Sequence, residues 1–191
     1  MMTGLRKTPL NAVHRESGAR MVAFAGWDMP LHYGSQLEEH HRTRADSSMF
    51  DVSHMQALDL AGPQARDFLR YLLANDVARL RKPGSALYSC MLNESGGVLD
   101  DLIVYALPHG AYRLVVNAGT ADKDVSWIAR QREAGGYECG LHRRDDLALI
   151  AVQGPRARER TLGACPQAAM AADLARFHAA GDADLWIART G

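Results

Sequence analysis

Three β-rich runs follow one another between Ala86 and Asn117, and the connections between them are too short to hold a crossover helix. Ala86 to Leu92 passes through Asn93-Glu94-Ser95-Gly96-Gly97 into Val98 to Leu107, and Pro108-His109-Gly110 then turns into Tyr112 to Asn117. Parallel neighbours need a crossover of a dozen or more residues, so these runs must form an antiparallel meander. Its middle run contains Leu99-Asp100-Asp101-Leu102-Ile103-Val104-Tyr105. Leu, Ile, Val and Tyr suit a half-buried pleated surface, whereas Asp is depleted there and costly to bury without a partner. Side chains alternate along a strand, so Asp100 faces with Leu102 and Val104 and Asp101 faces with Ile103 and Tyr105. Only one of the two can look into a given cavity. Either the pair is solvated at the strand's start beside Gly96-Gly97, or it marks a functional site, where local misfits concentrate.

Around the meander the chain alternates helix and strand patterns. Thr8-Pro9 reads as a helix start, with Thr as cap and Pro in the first position. Met21 to Phe24 is a short strand, and Ala25-Gly26-Trp27-Asp28-Met29-Pro30 reads as a loop. Gln36 to Asp46 is a charged helix. Its Glu38, Glu39, His40, His41, Arg42 and Arg44 are expected to be solvated. Phe50 to Leu60 reads as one strand, ended by Gly62-Pro63. Ala65, Phe68, Leu69, Leu72 and Leu73 then recur at three and four, the stripe of an amphipathic helix packed on a core.

Thr120 to Ala134 is a helix with Val125, Ile128 and Ala129 as its apolar stripe. Asp122 and Asp124 in its first turn suit the positive end of the helix dipole. Leu147 to Val152 is a continuous apolar run expected as a buried strand. Pro155 opens a helix to about Leu162, Cys165 to Ala180 is expected to be mostly helical, and Asp184 to Ala188 is a last strand. No period repeats. Helices mixed with antiparallel strands predict the α+β class.

Balanced charge, Lys+Arg 22 against Asp+Glu 22, offers no basic field for nucleic acid or an anionic membrane. No run is long and apolar enough to span a bilayer, and Met1 to Pro9 has no secretory h-region. Cys90, Cys139 and Cys165 are odd in number and far apart, in no metal-ligand spacing, which predicts no metal site and a reduced, cytoplasmic setting. Cys90 is expected as a small core residue. Ser53-His54, read as neighbours on a strand, would point to opposite faces and form no nucleophilic pair.

Four segments occur in order: Gly26-Trp27-Asp28-Met29-Pro30-Leu31-His32-Tyr33, Met49-Phe50-Asp51-Val52-Ser53-His54-Met55, Gly96-Gly97-Val98-Leu99-Asp100-Asp101-Leu102-Ile103-Val104-Tyr105 and Val152-Gln153-Gly154-Pro155. Together they resemble the T-protein family of the glycine cleavage system, the tetrahydrofolate-dependent aminomethyltransferases, over essentially the whole chain. The resemblance implies transfer of a one-carbon unit from an aminomethyl group on the lipoyl arm of H-protein to tetrahydrofolate, with release of ammonia. It implies Asp101 as the functional aspartate beside the attacking folate nitrogen. It also implies a folate pocket at Met55, Tyr88, Tyr105, Val115 and Asn117, with Asn117 at the pterin edge and Tyr105 able to pack on the pterin. Asp100 would then be structural, paired with backbone or a cation.

Related readings are a folate-binding module without transfer activity, and a folate-dependent demethylase or oxidase-linked folate domain. Segment 1–51 is expected to begin a first domain, 52–144 to form a second domain with the meander, and 145–191 to return to the first. The family continues past the final strand with a Tyr-Thr-Gly-Glu segment, a Gly-rich stretch containing Arg, and a C-terminal β-barrel domain. This sequence stops at Thr190-Gly191. The expectation is an N-terminal portion without that barrel, presenting an open half-site and associating with itself through exposed apolar surface.

Overall fold

The computed structural model describes residues 4–191, so the first three positions of the 1–51 segment lie outside the described residues. Helices and antiparallel sheets alternate along the chain, as the α+β expectation requires. The elements gather into two compact units, each discontinuous in sequence. One comprises the described chain up to His54 together with Asp146–Ala169, and the other Met55–Asp145 together with Met170–Gly191.

In the first unit, α1 (Asn11–Glu16) starts at Asn11 rather than at the predicted Thr8-Pro9 cap, and Leu10 takes the cap position without a side-chain bond. The predicted loop over 25–30 is instead largely a strand. β1 (Arg20–Phe24) and β2 (Trp27–His32) form a hairpin whose two-residue turn, Ala25-Gly26, has φ of 49° and 82°. Such turns need left-handed residues, and alanine conceals the signal because it seldom adopts that conformation. Pro30 is tolerated because it lies on a two-stranded ribbon, where a missing N–H breaks no central ladder.

The charged helix α2 (Gln36–Ala45) is capped by Ser35, whose hydroxyl accepts from the Glu38 N–H at 3.3 Å, and it buries no residue. β3 (Ser48–Asp51) pairs with β9 (Ile150–Gln153). The run at 147–152 is therefore not a buried core strand: Ile150 is 55% exposed, and among the described residues β9 has β3 as its sheet partner. After β9 comes α5 (Ala157–Ala164). Buried His14 joins these pieces, with Nε2 2.9 Å from Asp51 Oδ2 and Nδ1 2.6 Å from the Tyr33 hydroxyl.

The second unit opens with β4 (Gln56–Ala61), so the single strand predicted over 50–60 is two strands separated by a turn. Ser53 and His54 lie in that turn, not on a strand. α3 (Ala65–Leu72), β5 (Ala86–Leu92), β6 (Val98–Ala106), β7 (Tyr112–Val116), α4 (Ala121–Ala134) and β8 (Gly140–Arg143) follow. The sheet order is β5-β6-β7-β4-β8, with the predicted meander at one side. β8 carries too short and mixed a pattern to be read from sequence.

One sheet face supplies Leu58, Leu60, Leu102, Val104, Leu114 and Val116 to the core, where they meet Ala65, Phe68, Leu69 and Leu72 of α3 and Ala121 and Ile128 of α4. The stripe predicted for α3 is thus buried throughout. Residues 165–180 are not mainly helical: a 3-10 segment (Pro166–Ala171) gives way to β10 (His178–Gly181), which pairs with β11 (Trp186–Arg189). The segment expected to return whole to the first domain is therefore shared between the units. Backbone bonds of 2.8 Å from Ala86 N to Phe177 O and from Ala179 N to Gly84 O hold its end in the second. Gly84 permits that approach, since a Cβ there would lie 2.1 Å from the Ala179 carbonyl oxygen.

Candidate functional site

Strand register decides which side chains share the sheet face opposite the core. Cys90 pairs with Asp101, Tyr88 with Ile103, Ile103 with Val115, and Tyr105 with Arg113, which pairs in turn with Asp59. Because alternate residues share a face, Tyr88, Asp101, Tyr105 and Val115 all lie on this one. Leu102 and Gln56 both pair with Val116, so Asn117 stands next to Asp101 at the end of β7, with Met55 beside it just before β4. The structure thus brings Tyr88, Asp101, Tyr105 and Val115 to one sheet surface, with Asn117 at its edge and Met55 in the bend just before β4, a register that no local pattern revealed. Cys90 is corrected from a core position to this same face, where it is half-buried.

The centre is Asp101. Tyr88 donates its hydroxyl to Asp101 Oδ2, and that bond, with some burial, pushes the phenol up to about 12. The Tyr88 ring itself is 49% exposed. Asn117 Nδ2 reaches Asp101 Oδ1 at 3.3 Å and the Asp101 carbonyl at 3.1 Å. Tyr105 shares the face but is only 6% exposed, and burial pushes its hydroxyl to about 12. In this arrangement Tyr88, not Tyr105, offers open aromatic surface.

Asp100 points to the other side, as alternation requires; of the expected partners, backbone or a cation, it has the backbone, through the Asp101 N–H, together with side-chain donors. Its Oδ1 accepts from Asn117 Nδ2 at 3.0 Å and its Oδ2 from the Thr120 hydroxyl at 2.5 Å. Burial would raise its pKa. Contacts from Asp124, Thr120 and Asn117 and the Asp101 N–H overcome this and hold it at about 2. Asp124 lies in the first turn of α4, as expected, and it is fully buried there. The signal was present in the spacing: Asp124 falls three residues after Ala121 and four before Ile128, on the buried stripe of α4. Thr120 and Asp124 are the two residues here that the sequence reading did not single out as part of the site. Among the described residues no cluster of His, Cys, Asp or Glu could hold a metal ion.

Chemically, the face offers a carboxylate held between a phenol and an amide, able to accept a hydrogen bond from a ligand N–H and to stabilise positive charge. The half-exposed Tyr88 ring adds a flat apolar surface beside it.

Residues 10–191 match the family described as the GCVT N-terminal domain. An aminomethyltransferase of Burkholderia multivorans is 54% identical over 196 residues, covering 100% of this chain and 53% of that protein. One of Bordetella petrii is 57% identical over 193 residues, again covering 100% of this chain and 53% of the relative. The crystal structure of glycine cleavage system aminomethyltransferase T from Bartonella henselae superposes with a TM-score of 0.89 at 38% identity, over 98% of this chain and 50% of that one. The chain spans about half the length of these relatives. With nearly all its residues inside the family match and its fold shared with a solved member, the chain belongs to the GCVT N-terminal domain family.

Proposed function

We propose that this chain supplies the folate-facing part of a tetrahydrofolate-dependent aminomethyltransferase of glycine catabolism, acting in the cytoplasm with lipoylated H-protein. The observation that carries the reading is Asp101, fixed by Tyr88 and Asn117 on a sheet face that also carries Val115. Tetrahydrofolate, the one-carbon acceptor, presents a flat pterin with N–H donors, which fits an aromatic surface beside a carboxylate. The Asp101 carboxylate accepts a hydrogen bond from the attacking folate nitrogen, orients it towards the methylene carbon, and offsets the positive charge that develops as ammonia leaves. Direct proton abstraction is not needed, because an aniline-like nitrogen attacks without prior deprotonation. Asn117 lies at the pterin edge and Tyr88 beneath its ring.

The test is calorimetric titration of tetrahydrofolate into the 191-residue chain and its Asp101→Ala variant. A hydrogen bond to a charged group contributes roughly 1.5–3 kcal/mol, so the variant is expected to bind about 10- to 100-fold more weakly. Equal binding by both proteins, or none by the parent, overturns the assignment.

We also propose self-association. Met49 (76% exposed) and Ile150 (55% exposed) share one face of the β3–β9 ribbon, and Phe50 is exposed on the other. Grouped apolar surface of this kind favours a partner. Light scattering over a concentration series is expected to show mass growth, and a monomer at every concentration refutes it.

A further inference from the structure

Asp124 is the most unusual charge-bearing group in the second unit. It is fully buried, and among the described residues no hydrogen-bond donor reaches either of its oxygens. The nearest ammonium, Lys123 Nζ, stands at an ion-pair distance of 3.7 Å from Oδ1, beyond hydrogen-bond reach, and donates one of its hydrogens to the Leu99 carbonyl at 2.5 Å. The Asp124 carboxyl lies against the Asp100 carboxyl and the Thr120 hydroxyl. That hydroxyl has one hydrogen, and it is directed to Asp100 Oδ2. Two carboxylates in contact, one of them fully buried and without a hydrogen-bond donor, repel each other, so the doubly ionised pair is disfavoured. The contact therefore needs a proton of its own. Asp100 has three donors, Asn117, Thr120 and the Asp101 N–H, while Asp124 has none, so the proton belongs on Asp124.

We propose that Asp124 is a positioning residue, a neutral carboxylic acid that donates its hydrogen bond to Asp100 and thereby holds Asp100, Asn117 and Asp101 as one unit. The role assigned to Asp101 rests on the proposed folate function; the proton-sharing pair does not. The connection is short. Asp100 Oδ1 accepts from the same Asn117 Nδ2 that contacts Asp101 Oδ1, and Tyr88 holds the other Asp101 oxygen. Loss of the Asp124 proton sets two carboxylates against each other and loosens Asp100 from the amide that both aspartates share.

Burial, together with the neighbouring Asp100 charge, pushes Asp124 up to about 7. The charged group facing the pair is Lys123 of α4, while Asp101 of β6, on the other sheet face, is linked to the pair through Asn117, and Tyr88 and Cys90 of β5 lie beyond Asp101. A raised pKa stabilises the fold fully below the ordinary carboxylate range, and that contribution is lost as pH rises through about 7. The depressed pKa of Asp100 acts oppositely, stabilising above the ordinary range and failing as pH falls through about 2. The two titrate as a coupled pair, the upper step being the one within reach of neutral pH.

The test is a carbon-13 titration of carboxyl-labelled aspartate in the 191-residue chain, run beside Asp124→Asn and Asp100→Asn. Asparagine at 124 still donates an N–H to Asp100 but cannot ionise. One aspartate carboxyl is expected to titrate near neutrality in the parent, with the Asp101 signal moving at the same midpoint. Both changes should be absent in Asp124→Asn. In Asp100→Asn the upper step should fall towards the ordinary carboxylate range.

Tetrahydrofolate affinity in the parent should weaken at least about fivefold from slightly acidic to slightly alkaline pH, and Asp124→Asn should remove that dependence. The proposal is overturned if no aspartate titrates near neutrality, if the step survives Asp124→Asn, or if Asp101 does not follow it. Absence of folate binding by the parent would refute the folate assignment of Asp101, while the carboxyl titration would still decide the pair.

Discussion

Replacing Phe68 by alanine is expected to destabilise the second unit by about 3–5 kcal/mol. The side chain is 0% exposed and belongs to the cluster of α3, α4 and the sheet's inner face. It also packs on Tyr137, ring centroids 5.2 Å apart. Removing the ring forfeits its transfer free energy and leaves a cavity that sheet and helices on either side can close only in part. Whole domains are stable by about 5–15 kcal/mol, so the loss is a large share of what is available. Phe68→Leu keeps most of the volume and should cost less than about 1.5 kcal/mol. Urea denaturation of the three proteins checks this: a lower midpoint at an unchanged slope is expected, and a loss below about 1 kcal/mol for the alanine variant contradicts the packing described.

The second large effect is expected at Asp59, on the sheet face that carries the candidate site. Its Oδ1 accepts from Arg113 Nε at 2.7 Å and its Oδ2 from Arg113 Nη2 at 2.9 Å and Arg144 Nη1 at 2.6 Å. One carboxylate therefore stands between two guanidiniums, and its side chain is only 19% exposed. Removing one partner of a fully buried pair costs about 3–5 kcal/mol, and the residual exposure here lowers the expectation for Asp59→Ala to about 2–4 kcal/mol. Asp59→Asn keeps an acceptor without the charge and should lie between variant and parent. Burial pushes the Asp59 carboxyl upward, but the bonds and charges of Arg113 and Arg144 outweigh it and hold it below the usual range. Its contribution is therefore present above the ordinary carboxylate value and lost as pH falls through the depressed one. Denaturation at neutral and strongly acidic pH should show parent and Asp59→Ala converging in acid, and a constant difference would refute the ion-pair account.

Phe68 and the meander were legible because local periodicity and short connections are sufficient to specify them. The α3 stripe repeats at three and four, and Gly96-Gly97 and Pro108-His109-Gly110 leave room for nothing but hairpins. The shared face of Tyr88, Asp101, Tyr105 and Val115 was not legible, because alternation within each strand is blind to the offset between strands. Tyr105 shows a further gap: position on a face is a local property, whereas burial depends on what covers it. The Ala25-Gly26 turn was hidden by a residue with no preference for its own backbone angle. The place of Asp124 in the first turn of α4 was legible from its charge, whereas its burial was not. Its carboxylate suited a helix start, yet its place on the Ala121–Ile128 stripe put it inside. The pairing of β10 near Gly84 depends on contacts remote in sequence, which composition cannot express.

The division of the chain between two interrupted units has a kinetic consequence. β3 and β9 must find each other across most of the second unit, with contacts such as Ser53 Oγ to the Leu149 carbonyl spanning 96 residues. Closing a flexible loop of that length costs roughly 4 kcal/mol of chain entropy, beyond a fixed term. Once Met55–Asp145 has condensed into its sheet and helices, the ends of that loop are no longer free, and most of this entropy has already been spent. The β3–β9 ribbon should then close late, and damage to the inserted sheet would slow the assembly of strands that it never touches in sequence.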